Sequence, residues 1–530
     1  MTPLITDIAH EGPFGVPDGH RSGIDSATFV ELDPGIAPTG LLSRPDDRTA
    51  RVIVGKKGSG KTVYLRRFQL AAGEEESVYA AQLDPKTPTT AHVITFCQWY
   101  RGDDLTERWS QTWRTAILRS LCSHVLYAPE LEDHGTPLQR RSLARVAYEL
   151  LPDVNTPRST YNQLDELITG HASGQHLEAT LAEGLWGDLE YWLGEIIRDA
   201  PPIFFYLDAV DEEYAAAPNY WLRCQKGLFY QVMRFLRDPV FGGRLHVVIS
   251  VRDNVFSSVL RSEHATRYRT DPHVRILAWD RAAVSYLLKE KLARLGPDMV
   301  MRDARRCDVV EWLGTDSVAN ENRGVEEHIE DYLLRHTRLL PRDIVLLGNA
   351  LTEDVVRAKA NGQHAVTSER IRATVSQVAC WCGDEQLAVC GNQVVGDMIP
   401  RGAARGGSNY LATDEYRRQI KDQVGQLIRA VGIDQFDAVT LELFAELGHD
   451  AFGHEVDLPT VLWQNGLLGY GDKRLGDGDW LFHGVDDIDR FHLPLDRERY
   501  AFHPILLDTL GFTGAGRGSS PVRPWRRPIA

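Results

Sequence analysis

The stretch RVIVGKKGSGKT, residues 51–62, constrains the fold of this chain more than any other. Val52, Ile53 and Val54 form a short β-branched apolar run, the signature of a buried strand. It enters a loop in which glycine recurs at 55, 58 and 60, and a helix-like run follows Lys61. A strand that passes through a tight glycine loop into a helix is the first half of a βαβ unit. From residue 28 to 282 short apolar runs keep alternating with helical periodicity, so the expectation is an α/β core with a parallel sheet. Its strands are expected at 51–54, 92–96, 203–207, 245–251 and 274–277. Between the second and third runs, Trp109, Trp113, Ile117 and Leu121 recur every four residues, as one core-facing helix stripe does.

Length and composition bound the rest. A chain of 530 residues is too long for one ordinary core, and 43% apolar with 25% charged residues is usual for a globular protein. No apolar run reaches eighteen residues, which predicts no membrane span. The N-terminus lacks a basic start followed by an apolar stretch, so no secretory signal is expected. Seven scattered cysteines fit reduced thiols in a cytoplasmic setting better than a disulfide framework. The net charge of −15 leaves nucleic-acid binding dependent on a local basic patch.

The layout then reads as an irregular lead over 1–27, the α/β core over 28–282, and a helical lid over 283–382. A Gly-rich linker over 383–409, a compact unit over 410–512 and a disordered basic tail over 513–530 complete it.

Gly55, four residues, then Gly60, Lys61 and Thr62 match the pattern of a phosphate-binding loop. Backbone N–H groups that curl inward surround a polyanion, and glycine permits the curl. The helix that begins near Lys61 adds its positive end. Lys61 would reach the outer phosphates and Thr62 would place its hydroxyl on Mg²⁺, with Gly58 and Ser59 supplying the remaining tight backbone. Lys56 and Lys57 either add to the phosphate field or are solvated.

PPIFFYLDAVDEE (201–213) supplies a partner site. Asp208 follows an apolar strand at its C-terminal end, where ligands of such sheets lie, and a carboxylate there can hold Mg²⁺. Asp211 or Glu212 would orient or deprotonate an attacking water, or would cap the next helix. Ser250 and Arg252, at the end of LHVVISVRD, would sit beside the outermost phosphate, and Arg252 would stabilise developing charge there.

Three segments in that order, VGKKGSGKT, FFYLDAVDEE and HVVISVRD, resemble the additional-strand P-loop ATPases. Within them they are similar to the STAND class, including NACHT-like proteins, and to origin-recognition-like ATPases. VRILAWDRAAVSYLLKEKL and LLPRDIVLLGNAL (339–351) fit the same layout, with Pro341-Arg342-Asp343 placed like a lid-helix start that carries a sensor arginine. The resemblance implies ATP and Mg²⁺ as cofactors, slow hydrolysis, and a nucleotide-controlled switch that forms a homo-oligomer. Ala209 stands where standard relatives place a glutamate, which argues against fast turnover. ATP is expected over GTP because no Asn-Lys-x-Asp follows a later strand. Relatives of this kind carry effector and sensor domains that are not evident in this chain, so a separate effector or sensor protein is implied, in a bacterial defence or signalling setting.

The 410–512 unit reads as helix, helix, strand, strand, helix, a winged-helix-like plan. Between Ile433 and Gly466 there are seven acidic residues and no Lys or Arg, which opposes DNA docking and favours a structural or protein-binding role. The tail arginines Arg517, Arg523, Arg526 and Arg527 leave contact with nucleic acid or an acidic partner open. Two other classes stay open: a DNA-linked initiator or remodelling ATPase, and a scaffold that holds nucleotide without hydrolysing it. Arg234, Arg237 and Arg244 precede the fourth expected strand, where an arginine acting on a neighbouring subunit could lie. Cys380, Cys382 and Cys390 have poor spacing for zinc.

Overall fold

The computed structural model of the chain describes residues 12–19, 49–81, 83, 89–100, 104–151, 154–208, 217–262, 265–302, 308–321, 323–398, 413–472, 479–484, 491–511 and 519–525. The first part runs β1 (Val52–Gly55), α1 (Lys61–Gly73), β2 (Tyr79–Ala80), α2 (Thr90–Trp99), α3 (Leu105–Tyr127), α4 (Pro137–Leu150), α5 (Thr160–Thr169), α6 (Gly174–Leu181) and α7 (Leu185–Ile197). It continues with β3 (Ile203–Leu207), α8 (Pro218–Phe235), β4 (Leu245–Arg252), α9 (Asp253–Leu260), α10 (Ala265–Arg269) and β5 (Val274–Ile276).

These strands form one five-stranded, all-parallel sheet in the order β2-β3-β4-β1-β5. Alternation along each strand splits its side chains between two cores. Val52, Val54, Phe205, Leu207, Val247 and Ile249 join the core formed with α3, α7 and α8, while Ile53, Phe204, Tyr206 and Val248 face α1 and the helices after β5. Burial on both faces explains why the strands are continuous apolar runs. Trp109 and Trp113 are buried on α3 as the four-residue spacing predicts.

The second expected strand is not one. Residues 92–96 lie in α2, and the edge strand is the two-residue β2. Thr89 caps α2 by accepting from the His92 N–H, and Val93, Phe96 and Cys97 bury one face at helical spacing. The β preference of HVITF yields to packing: Phe96 lies 3.9 Å from the Trp109 ring, and the Trp109 indole N–H donates to Cys97 Sγ at 3.4 Å.

After β5 come α11 (Arg281–Leu292), α12 (Val309–Leu313), β6 (Ser317–Asn320), β7 (Val325–His328), α13 (Ile329–Arg335), α14 (Pro341–Ala360) and α15 (Ser368–Met398). The expected all-helical lid is thus interrupted by the β6–β7 antiparallel hairpin. Residues 383–398, expected to be part of a linker, continue α15 instead. Its glycines serve close approach rather than looseness. A Cβ on Gly383 would lie 2.1 Å from Thr509 Oγ1, and one on Gly391 would lie 3.1 Å from the Lys421 backbone. The rest of that expected linker, 399–409, lies outside the described residues.

The last part holds α16 (Asp414–Val431), β8 (Gln435–Asp437), α17 (Ala438–Phe452), α18 (Leu458–Gln464), β9 (Leu468–Gly471), β10 (Asp479–Phe482), β11 (Arg499–Phe502), α19 (Ile505–Leu510) and β12 (Arg523–Trp525). Its sheet has the order β12-β10-β9-β11-β8, and its core takes Cys390 and Val394 from α15. The tail was expected to be disordered, yet residues 519–525 are built into the fold. β12 runs parallel to β10, Val522 is buried against Trp480 and Phe482, and Arg323 donates to Ser519 Oγ and to the Ser520 carbonyl, both at 2.7 Å. Arg517, Arg526 and Arg527 lie outside the described residues, whereas Arg523 pairs with Asp479 at 3.1 Å. No helix among the described residues is long and apolar enough to cross a membrane.

Candidate functional site

The site forms where β1, β3 and β4 end. β4 lies between β1 and β3, so Ile53 is in register with Ser250 and Gly55 with Arg252, while Leu207 pairs with Ile249. This places Ser250 between the glycine loop and Asp208. The Thr62 hydroxyl donates to Asp208 Oδ2 at 2.5 Å, and the Ser250 hydroxyl donates to Oδ1. Tyr161 on α5 donates to the Asp208 backbone carbonyl. Asp208, Ser250, Lys61 and Arg252 are all buried. A carboxylate with both oxygens engaged this way is fixed in position, since charge-assisted hydrogen bonds are short and strong.

The loop has the backbone that its glycines suggest. Gly58 and Gly60 adopt positive φ values of 86° and 93°, and Gly60 precedes α1 without a side-chain cap. The first turn of α1 carries no acidic residue, so its N–H groups keep their positive end. A Cβ on Gly55 would lie 2.3 Å from Ser59 Oγ. That Ser59 hydroxyl is buried with no hydrogen-bond partner among the described residues. Lys61 Nζ donates to the Lys56 carbonyl at 3.2 Å, folding its ammonium back over the loop. The Trp279 indole donates to the Ser59 carbonyl at 3.1 Å and anchors the loop from beyond β5. An uncapped helix start, an orphaned buried hydroxyl and a folded-back lysine fit an anionic phosphate group. Thr62 and Asp208 bring two hard oxygen donors together, a set that suits Mg²⁺.

Arg342 reaches the loop from α14. Its backbone N–H donates to the Gly58 carbonyl at 3.3 Å, and a Cβ on Gly58 would lie 3.1 Å from Arg342 Cβ. Its guanidinium donates to Glu385 Oε1 at 3.0 Å and lies over the Trp381 ring at 5.1 Å. Glu385 also pairs with Lys57 at 2.9 Å and Arg338 at 3.4 Å. Burial alone would raise the Glu385 pKa, but Arg338, Lys57 and Arg342 outweigh it and hold the carboxyl at about 2. The neighbouring lysine, Lys56, donates to the backbone carbonyl of His483, just past the end of β10, at 2.9 Å. The two extra lysines of the loop are therefore tethers to α15 and to the end of β10. Glu385 was missed in the sequence because it sits in a segment that reads as glycine-rich; no local pattern marks it.

Of the other expected residues, Asp211 and Glu212 lie outside the described residues. Arg234 is bound by Glu107 through two contacts of 3.0 and 2.7 Å, and Arg237 lies 3.6 Å from Asp271. Both arginines are engaged within their own chain in this state. Cys382 and Cys390 are buried on α15, where burial pushes both thiols up. No grouping of three or more metal-ligating side chains occurs among the described residues. Comparison of the sequence with protein-family models and with curated proteins gives no match.

Proposed function

We propose that the chain is an ATP-binding, Mg²⁺-dependent P-loop ATPase that acts as a nucleotide-controlled oligomerising switch together with a separate effector or sensor protein. One observation carries the reading: Thr62 of the loop and Ser250 of β4 converge on the single carboxylate of Asp208. In it, Lys61 and the N–H groups at the start of α1 hold phosphate oxygens, and Thr62 and Asp208 hold Mg²⁺. Bound ATP supplies the phosphoryl group, and the metal neutralises charge on its oxygens. Ser250 and Arg252 lie at the end of the intervening strand, placed to respond to the outermost phosphate. Arg342 touches the loop and Glu385 together, so phosphate there competes with Glu385 for the Arg342 and Lys57 cations and with the His483 carbonyl for Lys56. That competition would loosen α15 and the C-terminal sheet from the loop. The strand order, with β4 between β1 and β3, supports the additional-strand layout, and the α17, α18, β9, β10 order supports the winged-helix-like reading of the last part.

The test is mass photometry of wild type and Lys61→Ala without nucleotide, with ADP, and with a slowly hydrolysed ATP analogue plus Mg²⁺. Assembly of the wild type by the analogue alone, absent in the variant, is the expected result. A mass that never changes overturns the oligomerising switch.

A further inference from the structure

Two helices of this chain carry exposed apolar side chains that no other described element covers, and the two faces carry opposite charge. On α17 the buried side is Leu441, Phe444, Gly448 and Phe452. The other side shows Val439, Leu443 and Leu447, which are 64%, 56% and 42% exposed and spaced four residues apart. Glu442 and Glu446 are exposed beside them. On α4 the buried side is Leu143, Val146 and Ala147. Its outer side shows Leu138 and Tyr148, 71% and 74% exposed, with exposed Arg141 and Arg145 between them. Glu149 closes the C-terminal end of that face.

The spacing matches as well as the sign. Each charged pair is four residues apart, about 6 Å along a helix axis at 1.5 Å per residue. Two carboxylates on one helix therefore fall opposite two guanidinium groups on the other, with apolar residues of both helices closing around them. On α17 three exposed large apolar side chains in a row, rimmed by charge, mark an interaction surface, and on α4 Leu138 and Tyr148 flank the charged pair that would meet it.

We propose that α17 of one copy of this chain docks on α4 of a second copy. Because the two faces differ, the contact is head-to-tail, and each added copy presents a fresh α17 and a fresh α4. The product is a ring if the rotation closes and an open chain if it does not. This specifies a contact surface for the oligomerising reading above and rests on it. It uses no residue of the glycine loop, so its test separates from the nucleotide test.

The experiment is sedimentation velocity on the full chain with ATP and Mg²⁺, with ATP binding measured in parallel. Four samples are compared: wild type, Glu442→Arg with Glu446→Arg, Arg141→Glu with Arg145→Glu, and an equimolar mixture of the two variants. Each variant alone places like charges in contact, which should weaken assembly by at least about a hundredfold in Kd. The mixture pairs reversed faces with each other and should recover wild-type assembly, and added salt should weaken it. All four substituted positions are exposed, so both variants should bind ATP as wild type does. Variants that bind ATP normally yet assemble like wild type overturn the surface alone. Variants that fail alone and are not rescued by mixing overturn it too. Wild type that binds no ATP but assembles through these faces overturns the nucleotide reading and leaves the surface standing.

Discussion

Lys56 Nζ lies 2.9 Å from the backbone carbonyl oxygen of His483, a contact that ties the glycine loop to the end of β10 across 427 positions of sequence. Neither residue is a strong cue alone: a lysine in a basic loop, and a carbonyl at a strand end. Together they make the loop a latch for the C-terminal sheet. Lys56→Ala should release that end of β10, and amide exchange across residues 480–483 should speed up while the parallel sheet keeps its protection. The expected loss of stability is about 1.5–3 kcal/mol, the usual range for a hydrogen bond from a charged donor. Exchange at 480–483 identical to wild type would remove the latch.

The loop and the acid should separate in their metal dependence. If the loop holds ATP as proposed, Lys61→Ala removes a cation that would meet the phosphates and should weaken ATP by roughly ten- to a hundredfold, from about 1.5–3 kcal/mol for a charged hydrogen bond. Asp208→Asn keeps the shape but puts an NH2 in place of one acceptor oxygen, so one of the two hydroxyls must turn and accept, and it removes the charge that would hold Mg²⁺. It should leave binding of metal-free ATP nearly intact while abolishing the gain that Mg²⁺ gives. Calorimetry with and without Mg²⁺ reads both. Equal losses in the two conditions for Asp208→Asn would take the metal role from that residue.

Glu385 balances three cations, and its removal leaves Lys57, Arg338 and Arg342 gathered without it. Arg338 keeps Asp343 at 2.7 Å, so the group does not lose every counter-charge. Glu385→Gln is therefore expected to cost about 2 kcal/mol, below the 3–5 kcal/mol typical of breaking an isolated buried pair. Chemical denaturation at pH 7 measures it. The same variant frees Arg342 and should tighten ATP if the phosphates compete with Glu385; a weaker ATP affinity would contradict that competition.

Much of the site was legible because its chemistry is local. Gly55 to Thr62 lie in one run, and Asp208 and Ser250 each end an apolar strand, so a single sequence places them at one sheet edge. Glu385 and the tethering roles of Lys56 and Lys57 were not legible, because their partners lie hundreds of residues away and only folding brings them together. The misread at Gly383 has the same origin. Glycine in a window reads as a loop, but here it lets α15 meet α19, with Ile505 O only 3.0 Å from where a Cβ would sit. Gly383→Ala gains about 1 kcal/mol of helix propensity. It also forces contacts that overpacking studies put at about 1–3 kcal/mol. The net change should be a loss of about 1 kcal/mol, partly recovered in a Gly383→Ala, Thr509→Ala double variant. A stabilised single variant would show that α19 yields freely.

Acid should weaken the fold in two stages whose sign follows from burial. His124 is held at about 4, chiefly by burial, against the opposing pull of the Arg158 backbone and Glu130. Both ring nitrogens of His336 are buried without a hydrogen-bond partner among the described residues, and burial, with Arg335 and His503 adding, pushes its pKa well down. A depressed histidine stays neutral in the fold while the unfolded chain takes up the proton below about 6.5. Stability is therefore full above pH 6.5 and falls as pH drops towards 4. For His124 the loss between pH 7 and 5 is about 2 kcal/mol, and His336 adds in the same direction. Glu385, held at about 2, contributes stability present above its ordinary value and lost as pH falls from about 4.5 towards 2. Urea midpoints should decline from pH 7 to 5 and again below pH 4.5. His124→Gln, which keeps a polar partner for the Tyr79 hydroxyl now 2.6 Å from His124 Nδ1, should flatten the first decline and spare the second. Equal midpoints at pH 7 and 5, or an unchanged slope in the variant, would mean that His124 is not held neutral by the fold.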